Sequence, residues 1–142
     1  MHSAASLSHP VRTILVVEDD RDIREILVAA LEDEGFQTIA ANNGRRALDV
    51  LASLRELPGL ILLDLMMEEM GGREFLEVLD REHRHDGWAE IPVLVSSAAG
   101  AGALAALPKT AGTFRKPFDL DELVRVAESY CPRVGPSAVR PS

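Results

Sequence analysis

At 142 residues, 46% hydrophobic and 27% charged, the sequence has the size of one domain with one core, which excludes a disordered or fibrous chain. A formal charge of −8, with Lys and Arg scattered and no aromatic–basic interleaving, excludes a nucleic-acid surface. The one cysteine, Cys131, excludes an internal disulfide; with no signal-like start and no apolar run of membrane-spanning length, the cytoplasm is the expected compartment.

Residues 1–12 are small, polar and aperiodic and read as a flexible leader, and the proline-bearing stretch 131–142 reads as a tail. Between them Ile14 to Val17 is a continuous apolar run, as expected of a strand buried on both faces. Ile23, Ile26, Leu27, Ala30 and Leu31 form a helical stripe closed by Gly35, with Asp20 as N-cap. Phe36 to Ala41 is a weaker strand, and Asn43 caps a helix with Ala47, Leu48, Leu51 and Leu54 inward.

Leu60 to Leu63 is a second buried run, and Phe75, Leu76 and Leu79 mark a helix after Gly71-Gly72. His83 to Glu90 is a polar loop, Val93 to Val95 a further buried strand, and the Ala/Gly-rich stretch 98–107 a short helix. Thr113 to Arg115 is a modest strand, and Asp119 with Glu122 has capping-box spacing before a helix with Leu120, Leu123, Val124 and Ala127 inward. Five βα repeats imply a parallel sheet with helices on both faces. The mixed second and fifth strands suit the edges, which favours a flavodoxin-like order 2-1-3-4-5.

In such sheets ligands bind at the carboxyl ends of the strands. There the sequence delivers Glu18, Asp19 and Asp20 after the first strand and Asp64 after the third. It delivers Ser96 and Ser97 after the fourth and Lys116-Pro117 after the fifth. Crowded carboxylates repel one another in a partly desolvated site, and a hard divalent cation relieves that cost. Magnesium is the expected ion, on Asp19 and Asp64 directly and on Glu18 directly or through water. A carboxylate in that setting attacks a phosphoryl group to form an acyl phosphate. Lys116 and the Ser97 hydroxyl would hold the remaining phosphoryl oxygens.

The segments ILVVEDDRDIREIL (14–27), LILLDLMM (60–67), IPVLVSSA (91–98) and RKPFDLDEL (115–123) resemble those of response-regulator receiver domains of two-component signalling, the CheY-like proteins. The resemblance spans residues 13–130 in four motifs of matching order and spacing. It implies an acidic pair at Glu18 and Asp19, a phosphoacceptor at Asp64, a signalling hydroxyl at Ser97 and a functional lysine at Lys116. It also implies a metal contact from the backbone carbonyl of Met66, manganese as a substitute for magnesium, and a cis Lys116–Pro117 bond. The implied partners are a sensor histidine kinase or histidine phosphotransfer protein and a downstream protein. No effector segment follows residue 130, so a stand-alone receiver, signalling by protein contact or onward phosphorelay, is expected.

Three positions depart from the family's pattern. Glu68 stands where proline is common, and Thr113 where the family carries an aromatic switch; the neighbouring Phe114 should face the other way by strand alternation. Met66 and Ala99 occupy positions that govern water attack on the acyl phosphate, and neither side chain orients water, so slow self-dephosphorylation is expected. A degenerate, phosphorylation-independent interaction module is the competing reading. A haloacid-dehalogenase-type phosphohydrolase wants a second acid where Met66 stands. His83, His85 and Asp86 read as solvated surface, Met66, Met67 and Met70 as packing, Trp88 as cover for the base of the third helix, and Cys131 as inert.

Overall fold

Residues 13–67, 69–83, 87–97, 107, 112–116 and 119–131 are described by the computed structural model of the chain. The apolar runs become strands β1 (Thr13–Val17), β3 (Leu60–Asp64) and β4 (Val93–Ser97), and the weaker ones become β2 (Gln37–Ala41) and β5 (Gly112–Arg115). All neighbours pair in parallel, in the order β2-β1-β3-β4-β5. The two mixed strands are therefore the edges, as their composition required.

Period-two alternation divides the core. Leu15, Val17, Ile61, Leu63, Val93 and Val95 face helices α2 (Gly44–Ser53) and α3 (Gly72–Glu82), joined by Ala47, Leu51, Phe75 and Leu79. Ile14, Val16, Leu60, Leu62 and Leu94 face α1 (Arg21–Asp33) and α4 (Leu120–Tyr130), joined by Leu27, Leu31, Leu123 and Ala127. Each of the Val, Leu, Ile and Phe side chains, taken fully from water, stabilises the fold by roughly 1.5–3 kcal/mol before entropy is counted. Cys131 is buried in the second cluster.

The helix ends follow local chemistry. Asp20 accepts from the Ile23 N–H, Asn43 from Arg46 and Asp119 from Asp121 and Glu122, each satisfying otherwise orphaned donors. Helix α1 closes on Gly35 at φ 94°, with the Gly35 N–H donating to Glu32 O and the Phe36 N–H to Leu31 O, a Schellman closure. Trp88, in a single 3-10 turn, stacks on His83 just past α3, with ring centroids 3.9 Å apart. One inward assignment fails. Ile26 is 53% exposed, because the buried line of α1 runs through Leu27 and Leu31, and a one-residue offset rotates a side chain about 100° away from it.

The expected helix over 98–107, the Lys116–Pro117 bond, Glu68, His85, Asp86, Ala99, the leader and residues 132–142 lie outside the described residues. Leu107 is described, and it packs against the α2–α3 side of the core.

Gly72 sets how closely α3 approaches the end of β3. A Cβ there would lie 2.8 Å from both Asp64 O and Leu65 Cα, while its N–H donates to Leu65 O at 3.0 Å. Gly72→Ala is expected to destabilise the fold by about 1–3 kcal/mol through overpacking. A urea melt would show a lowered midpoint with an unchanged slope; an unchanged midpoint would mean that the β3–α3 loop yields freely.

Candidate functional site

The carboxyl ends of β1, β3, β4 and β5 meet at one edge of the sheet. Register fixes their relative heights: Val17 pairs with Leu63, Asp64 with Ser96, and Ser97 with Arg115. Two backbone bonds extend this lattice into the loops, from Leu65 N–H to Ser96 O and from Lys116 N–H to Ser97 O. The acceptor candidate and the lysine are thus placed by main-chain geometry on strands buried at their core.

Glu18 and Asp64 are almost completely buried, at 2% and 4% exposure, while Asp19 is exposed. One carboxylate oxygen from each of the three lies within 4.8 Å of the others. Lys116 reaches both buried acids, with Nζ 3.0 Å from Glu18 Oε1 and 3.3 Å from Asp64 Oδ1. The other Glu18 oxygen accepts from the Asp20 N–H at 3.2 Å, and Asp64 Oδ1 accepts from the Met66 N–H at 3.4 Å.

Burial pushes the Glu18 carboxyl up to about 7; the hydrogen bond from Lys116 opposes this and the charge of Asp64 adds to it. Burial by itself disfavours the Lys116 ammonium. The hydrogen bond to Glu18 and the charges of Asp64 and Glu18 outweigh that, so its pKa rises above the usual 10.5. One ammonium facing three carboxylates leaves an excess of negative charge at an edge open to solvent through Asp19. Oxygen donors at this spacing suit a hard, partly hydrated divalent cation such as magnesium.

Glu18, Asp64 and Lys116 are brought together by ion pairs, and Asp19 lies beside the two buried acids. Ser97 is fully buried at the end of β4, one register position beyond Asp64's partner Ser96. The Met66 side chain, two residues after Asp64, is 64% exposed. Thr113 is exposed, and Phe114 lies on the opposite face of β5, packed with the α1–α4 side of the core. Phe114 also lines a water-sized cavity of about 10 Å³ beneath Glu18, Asp64 and Ser96.

Two supports were not read from the sequence. Arg24 Nη1 donates to the Glu18 carbonyl at 2.9 Å, anchoring the acidic loop. Asn43 Nδ2 donates to Glu69 Oε1 at 3.1 Å, while the Gly44 N–H donates to Met70 O at 2.9 Å. Glu69 takes a left-handed φ of 60°, which costs a non-glycine residue roughly 1 kcal/mol; the two bonds to the start of α2 hold it there. A cation near the start of a helix, where the dipole favours acids, was the available signal for Arg24.

Residues 14–128 match the family described as the response regulator receiver domain. The chain is 36% identical over 116 residues to regulatory protein AtoC of Escherichia coli (strain K12), covering 80% of this chain and 24% of that protein. It is 36% identical over 122 residues to sporulation initiation phosphotransferase F of Bacillus subtilis (strain 168), covering 84% and 93%. It therefore spans about a quarter of the first relative and nearly all of the second. Among solved structures, it superposes with response regulator protein TrrA from Thermotoga maritima, solved in complex with Mg(2+)-BeF. The TM-score is 0.70 at 26% identity, over 84% of this chain and 99% of that one.

Proposed function

Because this chain belongs to the response regulator receiver domain family, we propose that it is a phosphorylation switch that accepts a phosphoryl group on Asp64 from a histidine kinase or a phosphotransfer protein. Receiver domains are phosphoacceptor signalling modules rather than conventional enzymes, and this chain falls within that description. The observation that carries the reading is the buried Asp64 carboxylate, 3.3 Å from Lys116 Nζ and within 4.8 Å of the Glu18 and Asp19 carboxylates.

In the proposed reaction an Asp64 carboxylate oxygen forms a bond to phosphorus as the bond from phosphorus to the donor breaks. The donor leaves with that electron pair, and an acyl phosphate remains. Lys116 moves its hydrogen bonds from the carboxylates to the phosphoryl oxygens, and the Ser97 hydroxyl supplies a second donor. Glu18, Asp19, Asp64 and the Met66 carbonyl would hold magnesium, or manganese in its place. When bound, the ion neutralises the carboxylates and the phosphoryl oxygens as charge redistributes.

The signal leaves by protein contact or by onward transfer, as a stand-alone receiver. Support comes from the sporulation phosphotransferase, 93% of which this chain matches and whose name states phosphotransfer of that protein. Intact-mass measurement of the purified chain with acetyl phosphate tests the reading. One phosphoryl group per chain with magnesium, and none with a chelator, is the expected result. Absence of an adduct at every magnesium concentration contradicts it. The second reading, an interaction module independent of phosphorylation, is favoured by Thr113 on the exposed face of β5 where an aromatic switch would stand, and that null result would select it.

The thioether of Met66 offers no N–H or O–H to orient a water molecule beside the acceptor. The adduct is therefore expected to decay over many minutes after removal of the donor, followed by the same mass measurement. Loss within seconds would show that another group activates water.

A further inference from the structure

At the carboxyl end of β2 the surface opens into a cleft of about 490 Å³ between the start of α2, the first turns of α1 and Glu69. That volume falls in the range of small-molecule sites, roughly 300–1,000 Å³. Arg24, Arg45 and Arg46 line it, and none of them forms an ion pair among the described residues. Arg24 is tied to the Glu18 carbonyl, a bond that leaves its charge uncompensated.

Arg45 and Arg46 occupy the first turn of α2, which has no acidic residue. Two cations there repel the positive end of the helix dipole, an arrangement that disfavours the free protein. Asp49 and Glu69 also line the cleft; neither is ion-paired among the described residues, and the Asn43 amide bonded to Glu69 leaves that charge in place, so the three arginines exceed the acids by one charge. Three arginines thus line one concavity of a chain whose net charge is −8. The remaining described lining is Ala40, Ala41 and the two asparagines, so it offers no ring for stacking a base.

We propose that this cleft binds a small phosphate-bearing anion of the diphosphate class, held by the guanidinium forks of Arg45 and Arg46 beside Arg24, at a site distinct from the acid pocket. Planar guanidinium groups match phosphate oxygens in paired hydrogen bonds. An anion also removes the repulsion that the first turn of α2 carries without one. Arg24 bonds to the backbone of Glu18, and Asn43 bonds to the loop that follows Asp64. Occupancy of the cleft therefore bears on both edges of the acid pocket, and any such coupling acts equally in reverse.

The test is titration of the full chain with inorganic pyrophosphate, without magnesium, at ~150 mM salt so that diffuse attraction is screened. Amide resonances are followed by NMR. Saturable shifts centred on Asn43, Arg45, Arg46 and Glu69, with a Kd below about 1 mM, are expected. A nucleoside diphosphate should bind with similar strength, because only its phosphates are gripped. Arg45→Ala and Arg46→Ala should each weaken binding about tenfold or more, whereas Arg81→Ala on α3 should change nothing.

The double alanine variant should unfold at or above the wild-type temperature, since it removes first-turn cations. Should it unfold lower, Arg45→Lys and Arg46→Lys, which keep charge and lose the fork, carry the same expectation of weaker binding. Shifts centred on Glu18, Asp64 and Lys116, a response that never saturates, or affinity indifferent to Arg45 and Arg46 would overturn the proposal. So would an acidic peptide that binds these residues more tightly than pyrophosphate, which would assign the cleft to a protein partner.

Discussion

An Asp64→Ala variant incubated with acetyl phosphate and magnesium is expected to take up no phosphoryl group, against one per chain for the wild type. Three carboxylates share the pocket, so the expectation depends on why only one of them is the nucleophile. Glu18 is held by Lys116 on one oxygen and by the Asp20 N–H on the other, and burial raises its pKa to about 7. It is thus partly protonated near neutral pH and has no oxygen free of a donor. Asp19 is exposed on the loop before α1, where a hydrated carboxylate is a weak nucleophile. Asp64 ends a fully buried strand, with its position fixed by pairing to Ser96 and its Oδ1 facing Lys116. Intact mass reads the loss directly. Wild-type uptake by the variant would move the acceptor elsewhere. Asp20→Ala, which removes only the cap of α1, should cost about 1 kcal/mol of stability and leave uptake intact.

Without a divalent cation, the wild type is expected to lose stability as pH rises from about 5 to 8. The Glu18 pKa is about 7 in the folded chain and 4.5 as a free side chain. The folded state therefore binds the extra proton, and stability from this group is fully present below 4.5 and lost as pH rises through 7. A shift of that size corresponds to roughly 3 kcal/mol. Glu18→Gln should flatten the dependence and make the metal-free protein more stable than wild type at pH 8. The gain is reduced by the weaker bond that an amide makes to Lys116. Saturating magnesium should restore the wild type at pH 8, because binding to the folded state adds stability by mass action. Chemical denaturation at pH 5 and pH 8, with and without magnesium, measures all of this. A wild type more stable at pH 8 than at pH 5 in the absence of metal contradicts it.

Much of this architecture was legible because single short segments carry it. Four-residue apolar runs at 14–17 and 60–63 specify strands covered on both faces, and the mixed strands fell at the edges. Asp20, Asn43 and Asp119 announced helix starts, and each accepts the hydrogen bond its position required. Residues at the strand ends could be listed from the sequence and were found at one edge.

What the sequence did not reveal depends on side chains from distant segments. Lys116 is 98 residues from Glu18, and strand position alone does not tell which acid it meets; it meets both. The Arg24 anchor and the Asn43–Glu69 bond cross between a helix start and a loop, where no periodic pattern guides the reading. Ile26 was misassigned because a stripe of five apolar residues is wider than the buried line of α1. Thr113 and Phe114 were assigned to opposite faces by strand alternation, and they lie there.

The most direct measurement is chemical location of the phosphoryl group. The chain, phosphorylated with acetyl phosphate and magnesium, is reduced with borohydride, which converts an acyl phosphate to the corresponding alcohol, and is then digested for peptide mass mapping. The account requires the reduced residue to be Asp64 alone, in the peptide that contains Leu60 to Leu65. Reduction at Glu18, Asp19 or any other carboxylate, or a label that survives borohydride unchanged, as phosphate on a histidine or serine would, contradicts it.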